Sequence, residues 1–180
     1  MTTAEELRAT LSAGRERLLR AIAGVSEEQF KKRPEASDDG PAWSIAEVLA
    51  HLLQQEKLRS GRVALRLAND GAPITPSPPE AHLEGARAGR TAPVPQLIHG
   101  LLAARRETER LLDQAASTNA LANAVVHPES GRQTIAWLIE EKVAAHEAEH
   151  AAQIEKLREL VGAPPLGSAG NLAIGQSGKE

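Results

Sequence analysis

The sequence has no cysteine and no tyrosine, and its aromatic residues are Phe30, Trp43 and Trp137 alone. Without cysteine there is no disulfide, no thiolate metal site and no thiol nucleophile belonging to the chain. So few aromatics leave little on which single-stranded bases could stack. A net charge of -3 offers no basic footprint for a phosphate backbone, and no nucleic-acid partner is expected. No apolar run is long enough to span a bilayer, so no membrane partner is expected either. The first residues, Met-Thr-Thr-Ala-Glu-Glu, lack the basic-then-apolar pattern of a secretory signal. These absences point to a cytoplasmic protein, and 180 residues suit one domain with one sizeable core.

What is abundant is leucine, alanine, isoleucine and valine, a palette that favours helix over sheet. Residues 3–24 predict a first helix, with Leu7, Leu11, Leu18, Ile22 and Val25 recurring at helical spacing and Gly24 as its stop. Ser26-Glu-Glu-Gln29 has the form of a capping box for a short helical turn ending near Pro34. A polar loop with Asp38-Asp39-Gly40-Pro41 at its turn leads to a second capping box, Ser44-Ile-Ala-Glu47. The second helix then runs to about Asn69 on a stripe of Ile45, Val48, Leu52, Leu58 and Leu65, and His51 shares its side. Residues 70–93 carry five prolines and read as a long irregular connection, with His82 as an exposed loop residue. A third helix follows over residues 95–117. Its stripe is Val94, Leu97, Leu101, Ala104, Leu111 and Ala115, its wet side Arg105, Arg106, Glu107 and Glu109, and His99 sits at its surface or boundary. Residues 118–133 form a turn-rich linker with no convincing strand. Thr134 caps a fourth helix reaching about Val161, with Ile135, Ile139, Val143, His146, His150, Ile154 and Leu157 facing inward. Gly162-Ala-Pro164-Pro165 ends it, and 162–180 is expected to be a flexible tail.

The long connection allows the third helix to run parallel to its predecessor. Two segments echo each other, Leu11-Ser-Ala-Gly-Arg-Glu-Arg-Leu-Leu and Leu102-Ala-Ala-Arg-Arg-Glu-Thr-Glu-Arg-Leu-Leu, as do Ser44-Ile-Ala and Thr134-Ile-Ala. Helices of this composition resemble one another by chance, so the echo alone fixes no topology.

The chemistry is concentrated in Val143-Ala-Ala-His146-Glu-Ala-Glu-His150-Ala-Ala-Gln-Ile154. Histidines at i and i+4 lie on one helix face and can grip one ion from one side. The third ligand must come from elsewhere, and His51 is the inward histidine on another helix. Three neutral imidazoles suit zinc, nickel, iron or copper rather than magnesium or calcium, and they leave coordination positions open. His146-Glu147-Ala-Glu-His150 also satisfies the zincin pattern literally. Zincins normally place a sheet beside that helix, so solvent or a contact behind the ligands is the preferred place for Glu147. Glu47, Gln54, Gln55 and Gln153 are spaced to orient imidazoles through their second nitrogens, with helix capping the larger share for Glu47. His127, before Pro128, is a weaker candidate for proton transfer.

Trp43-Ser-Ile-Ala-Glu-Val-Leu-Ala-His51-Leu, His127-Pro-Glu-Ser-Gly and His146-Glu-Ala-Glu-His150-Ala-Ala-Gln-Ile together resemble the DinB/YfiT-like superfamily of bacterial proteins, from the first helix to about Val161. The resemblance implies an all-α four-helix bundle over residues 1–161, in up-down-down-up order, often a homodimer. It implies a divalent ion, commonly zinc or nickel, held by His51, His146 and His150. Among its members are transferases that use a low-molecular-weight thiol such as glutathione, mycothiol or bacillithiol, a maleylpyruvate isomerase, and proposed metal-dependent hydrolases. The expectation is therefore a metal-dependent enzyme acting on a small-molecule substrate. A thiol transferase with the thiol as co-substrate comes first, a hydrolase second. A non-catalytic metal-binding or stress-response bundle is the third reading.

Overall fold

A computed structural model describes residues 2–35, 43–68, 73–75 and 80–166. Four long helices carry the fold: α1 (Ala4–Ile22), α3 (Ile45–Ala68), α5 (Val94–Ser117) and α7 (His146–Val161). Between them lie α2 (Glu27–Lys31), α4 (Glu80–Ala88), a hairpin of β1 (Ala124–His127) and β2 (Gly131–Thr134), and α6 (Ile135–Ile139).

The local stops and starts are those the sequence dictates. Thr3 and Ser26 each form a full capping box, with Glu6 and Gln29 returning the bond. Gly24 and Gly162 adopt the left-handed conformation just past their helices, where a side chain would be strained. Ser44 caps α3: its hydroxyl accepts from the Glu47 N–H at 3.3 Å, and the Glu47 carboxylate accepts from the Ser44 N–H at 2.9 Å. The same carboxylate is 1% exposed and holds Arg33 and Arg90, both at 2.7 Å. It therefore orients α2, α3 and the start of α5 rather than an imidazole. Burial alone would raise its pKa, but Arg33, Arg90 and the Ser44 N–H outweigh that and bring it from the ordinary 4.5 down to about 2. A carboxylate depressed on folding stabilises the protein above its unfolded pKa and loses that contribution as pH falls through the folded value. Between pH 4.5 and about 2 the wild type is expected to lose about 2 kcal/mol from this group, given that both arginines are half-exposed. Glu47→Gln is expected to flatten that part of the stability-against-pH curve measured by urea unfolding.

The direction of each long helix follows from its contacts. Thr2 reaches Glu140, Arg17 pairs with Glu155, and Arg158 caps the Ala21 carbonyl, so α1 and α7 are parallel. Arg8 meets Asp113 and Arg105 meets the Leu11 carbonyl, so α1 and α5 are antiparallel. His51 faces His146 while Arg59 reaches the Lys142 carbonyl, so α3 opposes α7. Leu53 lies against Gly100 and Glu56 against Arg105, which makes α3 and α5 parallel. These are the senses that an up-down-down-up order requires.

Several expectations fail at tertiary level. The connection after α3 is not wholly irregular: residues 80–88 form α4, which packs along α3. His82 falls on this helix, and its side chain lies outside the described residues, as do residues 36–42 and most of the expected tail. The approach of α4 requires glycine. A methyl group on Gly89 would lie 2.3 Å from the Ala46 carbonyl oxygen, which belongs to the backbone and cannot step aside. Gly89→Ala is expected to lower the unfolding free energy by about 1–3 kcal/mol, read from urea denaturation.

The linker before the fourth helix contains a two-stranded antiparallel hairpin, registered Ala124↔Thr134 to His127↔Gly131. Its strands are short and one is entirely polar, so alternation gives no signal; residues 73–75 complete the pairing, with the Ile74 N–H donating to the Val126 carbonyl at 2.9 Å. Leu65 is 58% exposed, not inward. The inward positions of α3 beyond His51 include Gln55, Glu56, Ser60 and Val63. Finally, the fourth helix runs from its Thr134 cap to Val161 as expected but is not α throughout: residues 140–145 form a π turn between α6 and α7.

Two apolar clusters fill the bundle. One gathers Leu18, Phe30, Ile45, Leu49, Leu52, Leu97, Leu101 and Ile154; the other Leu7, Leu11, Val63, Leu111, Leu112, Ile135, Leu138 and Val143. Between them lies a closed ring of charge with one residue from each long helix. Arg15 bonds Glu56 and Glu147, and Arg105 bonds the same two glutamates, all at 2.6–2.7 Å. The side chains are 3–8% exposed. Arg105 therefore belongs to the interior, not to the wet side of α5.

Candidate metal centre

His51 is held by the middle of α3, whose preceding turn is pinned by the Ser44 cap. His146 and His150 begin α7, directly after the π turn. A π turn is wider than an α turn and shifts the face that later residues present. The segment from Thr134 to Glu147 spans one residue more than the one from Ser44 to Glu56, and the π turn absorbs it. Glu147 thus takes the inward position on α7 that Glu56 takes on α3, and its neighbour His146 turns towards His51.

The three imidazoles converge. Nε2 of His146 lies 3.3 Å from Nε2 of His51 and 3.2 Å from Nε2 of His150. One nitrogen from each ring falls within 4.8 Å of the other two. His51 is 6% exposed and packs against Trp43 at 5.1 Å between ring centroids. Burial, then the Arg59 charge and the neighbouring rings, push the His146 pKa down to about 2; burial lowers His150 as well. His146 and His150 are therefore neutral. At His150, Nδ1 donates to the Gln153 carbonyl oxygen at 2.7 Å, which leaves Nε2 with a bare lone pair directed at the cluster. Bare nitrogens this close repel one another unless a proton or cation lies between them. The donor set fits a divalent transition ion bound through three neutral nitrogens.

Of the other sequence candidates, Gln153 contacts His150 in the orienting manner expected. Glu147 is 3% exposed and both its oxygens are taken by Arg15 and Arg105. It is turned into the charge ring rather than to solvent, and its two ion pairs hold it away from the role of a zincin-type base. Gln55 is buried, and the Gln54 oxygen is buried without a hydrogen-bond partner. His99 is exposed, as expected. His127 is buried in the hairpin, where Nδ1 accepts from the N–H groups of Glu129 and Ser130 at 3.3 and 3.2 Å.

A four-helix bundle with three convergent histidines from two antiparallel helices defines the class. The family model of the DinB superfamily matches residues 4–154, and the chain belongs to that superfamily. YfiT from Bacillus subtilis, described as a probable metal-dependent hydrolase with an unusual four-helix bundle topology, has a similar fold. Its TM-score is 0.66 at 16% identity, over 89% of each chain. The colibactin self-resistance protein ClbS, solved in complex with dsDNA, gives 0.70 at 14% identity, over 88% of this chain and 97% of its own. A mycothiol-dependent maleylpyruvate isomerase gives 0.64 at 16% identity, over 89% of this chain and 69% of its own. No curated protein matches the sequence.

The ClbS complex corrects one expectation. Low net charge and scarce aromatics were read as excluding a nucleic-acid partner, yet a protein of this same fold is bound to duplex DNA. A duplex needs no stacking platform, and local charge rather than net charge meets its phosphates. The membrane expectation concerns helices only: no helix among the described residues is long and apolar enough to cross a bilayer.

Proposed function

We propose that the chain is a metal-dependent enzyme in which His51, His146 and His150 hold one divalent transition ion, zinc or nickel. The observation that carries this reading is the convergence of three imidazole nitrogens within 4.8 Å. Three protein ligands leave positions for substrate, the pattern of a catalytic rather than a structural site. When bound, the ion supplies a Lewis acid that presents a coordinated thiol or water as a nucleophile near neutral pH. The chain's own part is to keep His146 and His150 neutral by burial, to fix His150 through Gln153, and to anchor α7 through Glu147.

The preferred reaction is transfer of a low-molecular-weight thiol to an electrophilic small molecule. A chain without cysteine must borrow its sulfur, and the similarity to a mycothiol-dependent isomerase supports a thiol co-substrate. A cytoplasmic setting, where such thiols stay reduced, fits this reading. Hydrolysis of a small molecule is the second reading, supported by the likeness to YfiT.

Elemental analysis of protein purified without chelator, combined with a panel of glutathione, mycothiol and bacillithiol against an electrophilic aryl halide, tests the proposal. Thioether formation that a chelator stops and added zinc or nickel restores is the expected result. Protein that carries no stoichiometric transition metal and cannot be loaded with one would remove the basis of both readings.

A further inference from the structure

The histidine cluster leaves a neighbouring group of cations without a task. Most arginines that meet a side chain here meet a carboxylate, as Arg15, Arg17, Arg33, Arg90 and Arg105 do. Arg59 and Lys142 form no ion pair among the described residues. The Arg59 guanidinium donates to the backbone carbonyl of Lys142, inside the π turn and one turn before His146. The Lys142 ammonium stands over Trp137, 5.2 Å from the ring centroid. His127 meets the same indole edge-on at 5.3 Å.

The tautomer of His127 is fixed by its surroundings. Nδ1 accepts two backbone N–H groups, so the ring proton sits on Nε2. That Nε2 bonds no protein group among the described residues and is not sealed from solvent. Around one half-buried indole the fold therefore gathers an ammonium and an imidazole N–H, and a guanidinium bonds the backbone of the residue that carries the ammonium. All are donors. The carboxylates felt here are few: Glu56 and Glu149 act on Arg59, and Glu129 on His127. Glu56 is already shared between Arg15 and Arg105, and Glu149 is exposed. Burial lowers even the Arg59 guanidinium, to about 10, the sign of a cation short of counter-charge. Lys142 stands one turn before His146 and Arg59 bonds the Lys142 carbonyl, which places this group beside the histidine cluster.

We propose that Lys142 and His127, which meet across Trp137, together with Arg59 on the Lys142 carbonyl, form a recognition subsite for a carboxylate group of the small molecule that reacts at the histidine cluster. Its placement beside a reacting centre rests on the function proposed above; the anion-binding property does not. A flat carboxylate can lie against the indole while taking hydrogen bonds from the guanidinium and from Nε2. The recess favours a small molecule over a phosphate backbone: His127 is 8% exposed, and Arg59 and Lys142 are half-buried.

The test uses the full-length protein labelled with 15N, first stripped of metal and then loaded with zinc. The two indole N–H signals are followed, Trp137 being assigned from its loss in Trp137→Phe. Succinate is expected to shift the Trp137 signal saturably in both forms, and neutral succinamide to leave it in place. Lys142→Met and Arg59→Met should each weaken succinate binding by about ten- to a hundredfold, while Lys142→Arg should retain most of it. Lys142 lies at the surface of its turn, so its variants keep the test open if Arg59→Met misfolds. No saturable shift in the folded metal-free protein overturns the proposal, as does a shift that Lys142→Met leaves unchanged or one that needs zinc. Tighter binding of inorganic phosphate overturns the carboxylate assignment. A Lys142-dependent shift with duplex DNA but not with succinate overturns the small-molecule assignment. Failure to load zinc with the succinate shift intact would refute the metal-dependent function and leave the subsite standing.

Discussion

Glu147→Gln is expected to cost about 3–5 kcal/mol of folding stability, measured by urea unfolding followed through helical circular dichroism. The magnitude comes from what is left behind rather than from the attraction that is lost. In the wild type two guanidinium groups face two carboxylates in an almost dry layer. Neutralising Glu147 leaves Arg15 and Arg105 competing for Glu56, with one uncompensated positive charge between two apolar clusters. Domains of this size are stable by about 5–15 kcal/mol, so this single atom exchange removes a large share. Removing charge in pairs should be milder: Glu147→Gln with Arg105→Gln is expected to cost less than the two single changes summed, by about 0.5–3 kcal/mol. A loss under about 1 kcal/mol for Glu147→Gln alone would mean that water reaches the ring, and that its burial is not what holds the four helices in register.

Loss of His146 or His150 is expected to be the most damaging change to metal binding. His146→Ala and His150→Ala should each lower zinc affinity by more than about a hundredfold, beyond the range of an outer-shell change. Competition against a chromophoric chelator measures this. His146 is the central donor, since its Nε2 lies within 3.3 Å of both others, and its loss leaves two nitrogens on opposed helices. Gln153→Ala belongs to a lower tier: the ligand remains, but His150 is free to turn and to change tautomer, and about 10–100-fold is expected. Helical content should survive all three changes, because none touches the ring. A His150→Ala protein that keeps both stoichiometry and affinity would refute the ligand assignment.

The histidine trio was legible because each member obeys a local rule. His146 and His150 are one turn apart, and His51 follows its cap at a phase that faces inward. Gln153 was legible for the same reason. The ring was not read, although a signal was present. Arg15 follows Leu11 by four and precedes Leu18 by three; Glu56, Arg105 and Glu147 each sit four after and seven before a buried apolar residue. Charged residues at core phase on four helices, alternating in sign, are the pattern of a buried ion-pair layer. Taken one helix at a time, Arg105 reads as part of a wet face and Glu147 as a solvent residue or a contact behind the ligands.

By itself the sequence determined the helices, their caps, the absence of any protein thiol, and which three histidines were eligible to meet. These depend on contacts within a few residues, and chain connectivity guarantees such contacts in any fold. Only the tertiary structure decided the charge ring, the hairpin, the docking of α4 through Gly89, the meeting of Lys142 and His127 across Trp137, and the reach of Arg59 to the Lys142 carbonyl. Each joins groups that are far apart in the chain or that no regular period marks. Their energies arise from excluding water between surfaces that the chain brings together only once it has folded.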